Sequence, residues 1–355
     1  YTLSLHDALP ISSMDGPFPA FPYNHLNLSA TSWTAGLRYV PLPDLTLRAS
    51  VGTGFLSPSA NQLNPAFTSF SSITVTDPKR GNISNTYDVT YNTSGNPNLK
   101  PEYSKSVSAG VIFTPRFWPG FRLSVDYTKI NKTDEITGLV DQQTFIYEDA
   151  LPGLIVRDAL TSADRALGYT AGIPTTVNAI PVNFAKRVAE AVDVQADYTR
   201  KTSIGEFRLF AVATFNLGFD SQITPDSPRI EQVGYLNGPM KWRGNAGLDW
   251  TRGRWSAGWN AYYFNEQYIY AAETIPASIA SAVLTQGSDI YAAQLYHEMR
   301  VGYQFGYGDS GWQRFLKNTR LNVGVQNVFN REPPIRAGTG IGGGFLPTED
   351  PRLRR

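Results

Sequence analysis

The octapeptide Phe121-Arg-Leu-Ser-Val-Asp-Tyr-Thr128 alternates without a break. Phe121, Leu123, Val125 and Tyr127 fall on one side, and Arg122, Ser124, Asp126 and Thr128 on the other. Successive side chains of a strand point to opposite faces, so this period of two specifies a strand with one apolar and one polar face. The pattern recurs. Leu45, Leu47, Ala49 and Val51 alternate with Thr46, Arg48 and Ser50. Trp242, Gly244, Ala246, Leu248 and Trp250 alternate with Lys241, Arg243, Asn245, Gly247 and Asp249. Trp255, Ala257, Trp259, Ala261 and Tyr263 form a further stripe, as do Met299, Val301, Tyr303 and Phe305.

Several stripes carry aromatics at both ends: Phe121 and Tyr127, Phe207 and Phe215, Trp242 and Trp250. Aromatic rings favour the membrane–water boundary, so this placement suggests girdles. The opposite faces hold Arg122, Asp126, Arg243 and Asp249. A wet lumen accommodates such charges, whereas a dry core of small bore does not.

Strands are expected at 31–40, 45–52, 104–115, 120–130, 186–199, 205–216, 241–251, 254–264, 293–306 and 319–328. Most have the roughly 9–11 residues that a tilted membrane strand needs. Short links join them in pairs, at Pro41–Asp44, Arg116–Gly120, Arg200–Gly205 and Thr251–Arg254, with a longer fifth around Tyr307–Asn318. Long segments lie between the pairs, at 53–103, 131–185, 217–240, 265–292 and 329–355. Strict alternation of short and long links is the habit of outer-membrane barrels, and a β-sandwich gives no reason for it.

Composition agrees. Of 355 residues, 13% are aromatic and only 17% charged, against about 25% charged in ordinary soluble proteins. The mean hydropathy is −0.26, so the chain is aromatic-rich and charge-poor yet mildly polar, as alternating wall strands would be. The net charge of +1 gives no sign of nucleic-acid binding. Cysteine is absent, which excludes disulfides, thiolate metal sites and cysteine nucleophiles. His6, His25 and His297 are too dispersed for a zinc site.

Residues 1–12 (YTLSLHDALPIS) lack the alternation and do not make a signal peptide. They read as a non-native, sequencing-adapter-like segment and are set apart from the fold. Gly338-Thr-Gly-Ile-Gly-Gly-Gly344 sits between Pro333-Pro334 and Pro347 rather than between a strand and a helix, so it reads as a loop and not a phosphate cradle. Asp134-Glu135 and Glu148-Asp149 are read as loop charge, and no Gly-x-Ser-x-Gly elbow occurs. The stretch 149–170 is the least strand-like and is expected to hold a short helix. Tyr147, Arg157, Arg165 and Tyr169 are candidate ligand contacts in this long segment, because long loops are often functional.

Gly54-Phe55-Leu-Ser-Pro58-Ser59, then Asn96-Pro97-Asn-Leu99-Lys100-Pro101-Glu102, and finally Asn327-Val-Phe329-Asn-Arg-Glu-Pro333 occur in this order. Together they resemble the motifs of TonB-dependent outer-membrane receptors over about residues 40–355. Prolines preset extended backbone, and Gly54 allows a bend on leaving a strand, so these residues are expected to anchor loops to the wall rather than touch ligand.

The resemblance implies an all-β fold: an antiparallel transmembrane β-barrel fragment over residues 13–355, with about ten of 22 strands. Family members also carry a plug, a TonB box and a final strand, which are not recognised here; Asp350-Pro-Arg-Leu-Arg-Arg355 is similar to the lead-in to that last strand. The implied function is uptake of a scarce ligand across the Gram-negative outer membrane with energy from a TonB-type complex acting on the plug. A ferric siderophore is the first expectation, with cobalamin or an oligosaccharide as alternatives. Outer-membrane lipid is the implied surrounding. No cofactor, metal or catalytic residue is expected, and the chain is not read as an enzyme. A passive porin or barrel adhesin without a plug is the alternative reading, and an all-β hydrolase a weaker one.

Overall fold

The computed structural model describes residues 29–64, 67–93, 95–224, 227–274, 276–306, 316, 319–337 and 344–345. The adapter-like segment, most of the fifth short link, the glycine-rich stretch 338–343 and the end at 350–355 lie outside the described residues.

In chain order the first hairpin is β1 (Thr34–Leu42) and β2 (Leu45–Leu56), followed by the loop elements α1 (Ala60–Leu63), β3 (Phe67–Asp77) and β4 (Ile83–Thr93). The second hairpin is β5 (Glu102–Phe113) and β6 (Phe121–Thr137), and its loop holds α2 (Asp141–Ile146), β7 (Ile155–Arg157), α3 (Ser162–Ala166) and β8 (Pro174–Ala179). The third is β9 (Val182–Thr202) and β10 (Gly205–Gln222), capped by β11 (Ile230–Glu231). The fourth is β12 (Trp242–Arg252) and β13 (Trp255–Phe264), followed by β14 (Gln267–Tyr268), α4 (Pro276–Gln286) and β15 (Ile290–Tyr291). The fifth is β16 (Gln294–Gln304) and β17 (Arg320–Val325), with β18 (Ile335–Arg336) and β19 (Gly344–Phe345) beyond.

The five hairpins form one antiparallel wall in the order β1-β2-β5-β6-β9-β10-β12-β13-β16-β17. All ten wall strands lie where alternation places them. The wall is open: among the described residues β1 pairs only with β2, and β17 only with β16.

Register carries each face across the sheet. Leu47, Val111, Val125, Val194, Ala213, Gly244, Tyr263 and Leu295 are successive cross-strand partners. Below them Leu45, Phe113, Leu123, Ala196, Ala211, Ala246 and Ala261 form a second row. The apolar stripes therefore merge into a continuous apolar face, on which Val107, Val111, Leu209, Phe215, Met299 and Val301 are exposed. The buried members of the three hydrophobic clusters all lie outside the wall strands. The greasy stripes are thus not folded into a dry core.

The opposite face carries the charges of the wall, and three of its arginines are paired with carboxylates. Arg48 grips Asp126 through two bonds of 2.7 and 2.5 Å, Arg208 reaches Asp197 at 2.7 Å, and Arg300 reaches Asp249 at 2.6 Å. These arginines are half exposed or more, so each pair adds at most about 1 kcal/mol of stability. Their larger effect is to keep charge on the wet side of the wall.

Tilt follows from the register. On a barrel tilted by about 40°, positions at equal height slip by about one residue per strand. The register row through Phe121 reaches Trp259 on β13, whereas the aromatic at the short-turn end of that strand is Trp255, four residues lower after four strand steps. On the polar face the row through Asp126 reaches Gln294 on β16, while the charged belt has moved to Arg300, six residues lower after five steps. Girdle and charge belt slip in the same sense, as tilted strands require. From Phe207 to Phe215 the stripe rises about 20 Å at that tilt, close to the roughly 25 Å of a barrel's apolar band.

The short turns have local causes. Gly120 has φ of 90°, and a Cβ there would stand 2.0 Å from the Thr199 carbonyl oxygen. Asp44 braces the neighbouring turn, accepting from Arg116 Nε at 2.7 Å. Trp118 stacks on Phe121 at 4.4 Å, placing an indole at the short-turn end of the stripe.

Two features differ from the sequence expectation. β6, β9 and β10 run to 17, 21 and 18 residues, well past the expected membrane span. Above Tyr127 their sequences turn polar and bulges shift the register, which hides the continuation from a period-two reading. The long segments are also not bare loops, because β3, β4, β8 and β7 form a separate four-stranded sheet.

The continuous apolar face yields a sharp test. Ala211 sits mid-stripe on the apolar face and Asn245 on the polar one. Ala211→Arg is expected to destabilise the lipid-inserted protein by about 2–4 kcal/mol, and Asn245→Arg by far less. Urea unfolding from lipid vesicles measures both, and equal losses would contradict the assignment of faces.

Candidate functional site

The strands of the wall converge on long segments at one end, and these segments are folded. The β3–β4 hairpin comes from the segment between β2 and β5, and β7 and β8 from that between β6 and β9. β8 joins β4 in parallel over Thr90–Thr93. Alternation explains the packing: Ile73, Val75, Tyr87 and Val89 point to one side of the hairpin and close on Phe145 of α2, Ile155 and Val177. Ser72 and Thr74 on the other side bond across to Asp88 and Thr86. The free edge of β3 is closed by Gln142, which both donates to and accepts from Thr76 at 2.8 Å.

A buried ionic cluster ties the two segments together. The Arg157 guanidinium bonds Asp77 at 2.8 and 3.0 Å and Glu148 at 2.9 Å through two nitrogens. The side chains of Arg157 and Asp77 are 8% and 0% exposed. Burial alone would lower the Arg157 pKa, but the hydrogen bonds to Glu148 and Asp77 outweigh it and hold the group above its ordinary value. Arg80 makes a second contact with Asp164 at 2.9 Å and lies over the Tyr169 ring at 4.5 Å. Burial, then the carboxylate of Asp141, pushes the Tyr91 hydroxyl up to about 12, so it stays protonated and donates to Asp141.

The four candidate contacts are thus placed differently from one another. Arg157 is occupied by two carboxylates inside the loop sheet. Tyr147 is the C-cap of α2 and packs against Leu139, Leu151 and Leu154. Tyr169 is held under Arg80, and Arg165 is exposed in α3. They do not share a single set of partners.

The motif residues hold loops to the wall. Gly54 faces Ser104 so closely that a Cβ would stand 2.9 Å from its hydroxyl; Phe55 pairs with Tyr103. Pro58 is buried, and the following Ser59 caps α1 in a reciprocal box with Gln62. Asn96 donates to the Pro181 carbonyl at 3.0 Å and accepts from the Asn98 amide at 2.9 Å, making the turn that contains Pro97. Leu99 is 2% exposed. The Lys100 backbone exchanges two bonds with the Asn183 amide, at 2.7 and 2.8 Å. Pro101 and Glu102 are buried, and Glu102 accepts from the Ile136 amide at 2.7 Å and meets Lys132 at 2.5 Å. At the other end Asn327, in the left-handed region at φ 49°, clasps the Arg331 backbone at 2.8 and 2.9 Å. Phe329 meets the His297 ring edge-on at 4.9 Å, and Pro333 is buried.

One grouping has no signal in the sequence. The backbone of Gly234–Leu236 bonds to that of Tyr268–Tyr270. This brings Tyr235, Tyr268 and Tyr270 together with ring centroids 4.8 to 6.0 Å apart. The tyrosines come from two separate loops, and only the pairing of those loops creates the cluster.

Removing Arg157 would leave Asp77 and Glu148 buried without their cation. Arg157→Met is expected to cost the loop sheet about 3–5 kcal/mol. Hydrogen exchange should then show the Val89 and Val177 amides opening about 100-fold or more faster, while the wall amides of Val125 and Val194 keep their protection. Unchanged exchange at Val89 would show that the cluster is not what holds the sheet.

The family model described as "TonB dependent receptor-like, beta-barrel" matches residues 11–328. No curated protein matches the chain by sequence. Among solved structures it is similar to the ferric enterobactin receptor PfeA of Pseudomonas aeruginosa, at TM-score 0.55 and 16% identity over 90% of this chain and 37% of that one. It is also similar to the siderophore receptor PirA of Acinetobacter baumannii, at TM-score 0.54 and 15% identity over 84% of this chain and 37% of that one. At such identity these likenesses speak for the fold, and the chain spans little more than a third of either receptor. The matched family model, the ten-stranded open wall and its apolar face agree: the chain belongs to the TonB-dependent receptor β-barrel family.

Proposed function

We propose that this chain supplies wall and outer loops to a receptor that takes up a scarce ligand across the outer membrane of a Gram-negative bacterium. The observation that carries this reading is the continuous apolar face, level with its girdles and backed by a charged inner face. A wall of that kind is stable only where lipid covers one side and water or protein the other. The long-loop end then faces outward, and the loop sheet and tyrosine cluster form part of the surface that meets ligand.

Energy from a TonB-type complex, acting through a plug, belongs to the same proposal and follows from the family. A ferric siderophore is the proposed ligand, supported by siderophore receptors among the similar structures. Wall and loops hold and admit the ligand in this scheme, and no residue of the chain performs chemistry on it.

A strain lacking the complete gene, grown on one iron source at a time, tests this. Growth should fail on a single ferric siderophore and return with the intact gene. Normal growth on every ferric siderophore with loss of cobalamin or oligosaccharide uptake would reassign the ligand. Uptake that persists at full rate without the TonB complex would support a passive porin instead.

A further inference from the structure

The apolar face ends at different residues on neighbouring strands, and basic residues stand just beyond it on β5 and β6 and further up on β9. On β5 the stripe runs Phe113, Val111, Ala109, Val107, and the next position on that face is Lys105. On β6 it ends at Tyr127, with Lys129 next. On β9 it passes Val192 to Glu190, Val188 and Lys186. Arg229 joins this rim because β11, directly after it, pairs with the top of β10 at Asp220 and Ser221. A cavity of about 210 Å³ opens here, lined among others by Asn131, Lys186, Val188, Asp220 and Arg229.

The charges of the rim do not cancel. Lys129 is neutralised by Glu190 at 2.6 Å, and that carboxylate also accepts from the Tyr127 hydroxyl at 3.0 Å. The Glu231 carboxylate is taken up by the amides of Phe219 and Val233 at 3.0 and 2.7 Å. Lys105, Lys186 and Arg229 are exposed and have no ion-pair partner among the described residues. Asp220, beside Arg229 and Glu231, is the remaining carboxylate of the cavity. Three cations without an ion-pair partner against the two carboxylates Asp220 and Glu231 leave the rim positive by one charge among the described residues, immediately above the apolar stripe. Long basic side chains can lay their stems on such a stripe and lift their charge to the headgroup level.

We infer that Lys105, Lys186 and Arg229 hold the phosphate of an anionic membrane lipid, whose chains lie along the apolar stripe of β5, β6, β9 and β10. The inference rests on the wall being a membrane wall. It adds a site: this sector of the rim recruits phosphorylated lipid, whereas an apolar stripe alone would accept any lipid. The aromatic row below it, with Tyr127 donating to Glu190, fixes the depth at which the headgroup is met.

The complete receptor, in phosphatidylcholine nanodiscs containing a minor share of phosphatidylglycerol, provides the test. Native mass spectrometry after detergent release counts the phosphatidylglycerol retained. The triple variant K105Q/K186Q/R229Q is expected to lower retention roughly tenfold or more, and the pair K201Q/R252Q at the short-turn end should leave it unchanged. Retention equal to the parent in the triple variant overturns the site, as does an equal loss in the control pair. Displacement of the lipid by inorganic phosphate at millimolar concentration also overturns it, since the site would then serve a soluble anion. Failure of the parent protein to enter the nanodisc at all sinks the membrane-wall reading itself and is scored separately from headgroup preference.

Discussion

Everything in this protein depends on one requirement: a backbone that lies in lipid must bond its amides and carbonyls to neighbouring strands. Lateral pairing through ten strands meets that requirement and leaves side chains to alternate between two solvents. Neither face of the wall can then be chosen freely. The apolar rows through Leu47 and Leu45 cross seven or eight strands because one polar residue there would lose its water with no partner in return. The facing pairs Arg48–Asp126, Arg208–Asp197 and Arg300–Asp249 stand on the side where water remains.

This division explains why, among the described residues, no apolar core forms between the wall strands. The buried apolar clusters are built from loop segments, where the chain is surrounded by water and must cover its own greasy groups. The loop sheet illustrates the cost of doing so in a small space. It is held by few apolar residues, and the buried Arg157 cluster adds direction: bidentate bonds to Glu148 and paired bonds to Asp77 fix how two segments, distant in sequence, meet. Such a cluster gives specificity of arrangement more than net stability.

Strand tilt links the two ends of the molecule. The slip of the girdle from Phe121 to Trp255 and of the charge belt from Asp126 to Arg300 shows both faces obeying the same geometry. Motif residues act where tilted strands must release the chain into loops. Asn96, Lys100 and Glu102 on one side of the long segments, and Asn183 and Lys132 opposite them, lace β5, β6 and the start of β9 together at the point where bulges end the regular register.

The sequence alone determined the wall. Period-two alternation is a local property, so Phe121–Thr128 declares its strand and its two faces whatever surrounds it, and alternating link lengths order the strands into hairpins. It also carried the motifs that place the chain among TonB-dependent receptors. The extensions of β6, β9 and β10 were not legible, because above the lipid both faces meet water and alternation is no longer enforced. The role of Arg157 was equally hidden: as a loop arginine it resembles a ligand contact, and only the fold of two segments sets Asp77 and Glu148 against it. The tyrosine cluster and the basic rim likewise exist only in three dimensions, since Tyr235 meets Tyr268, and Lys105 shares a rim with Arg229, through backbone pairing between segments that carry no mark of each other.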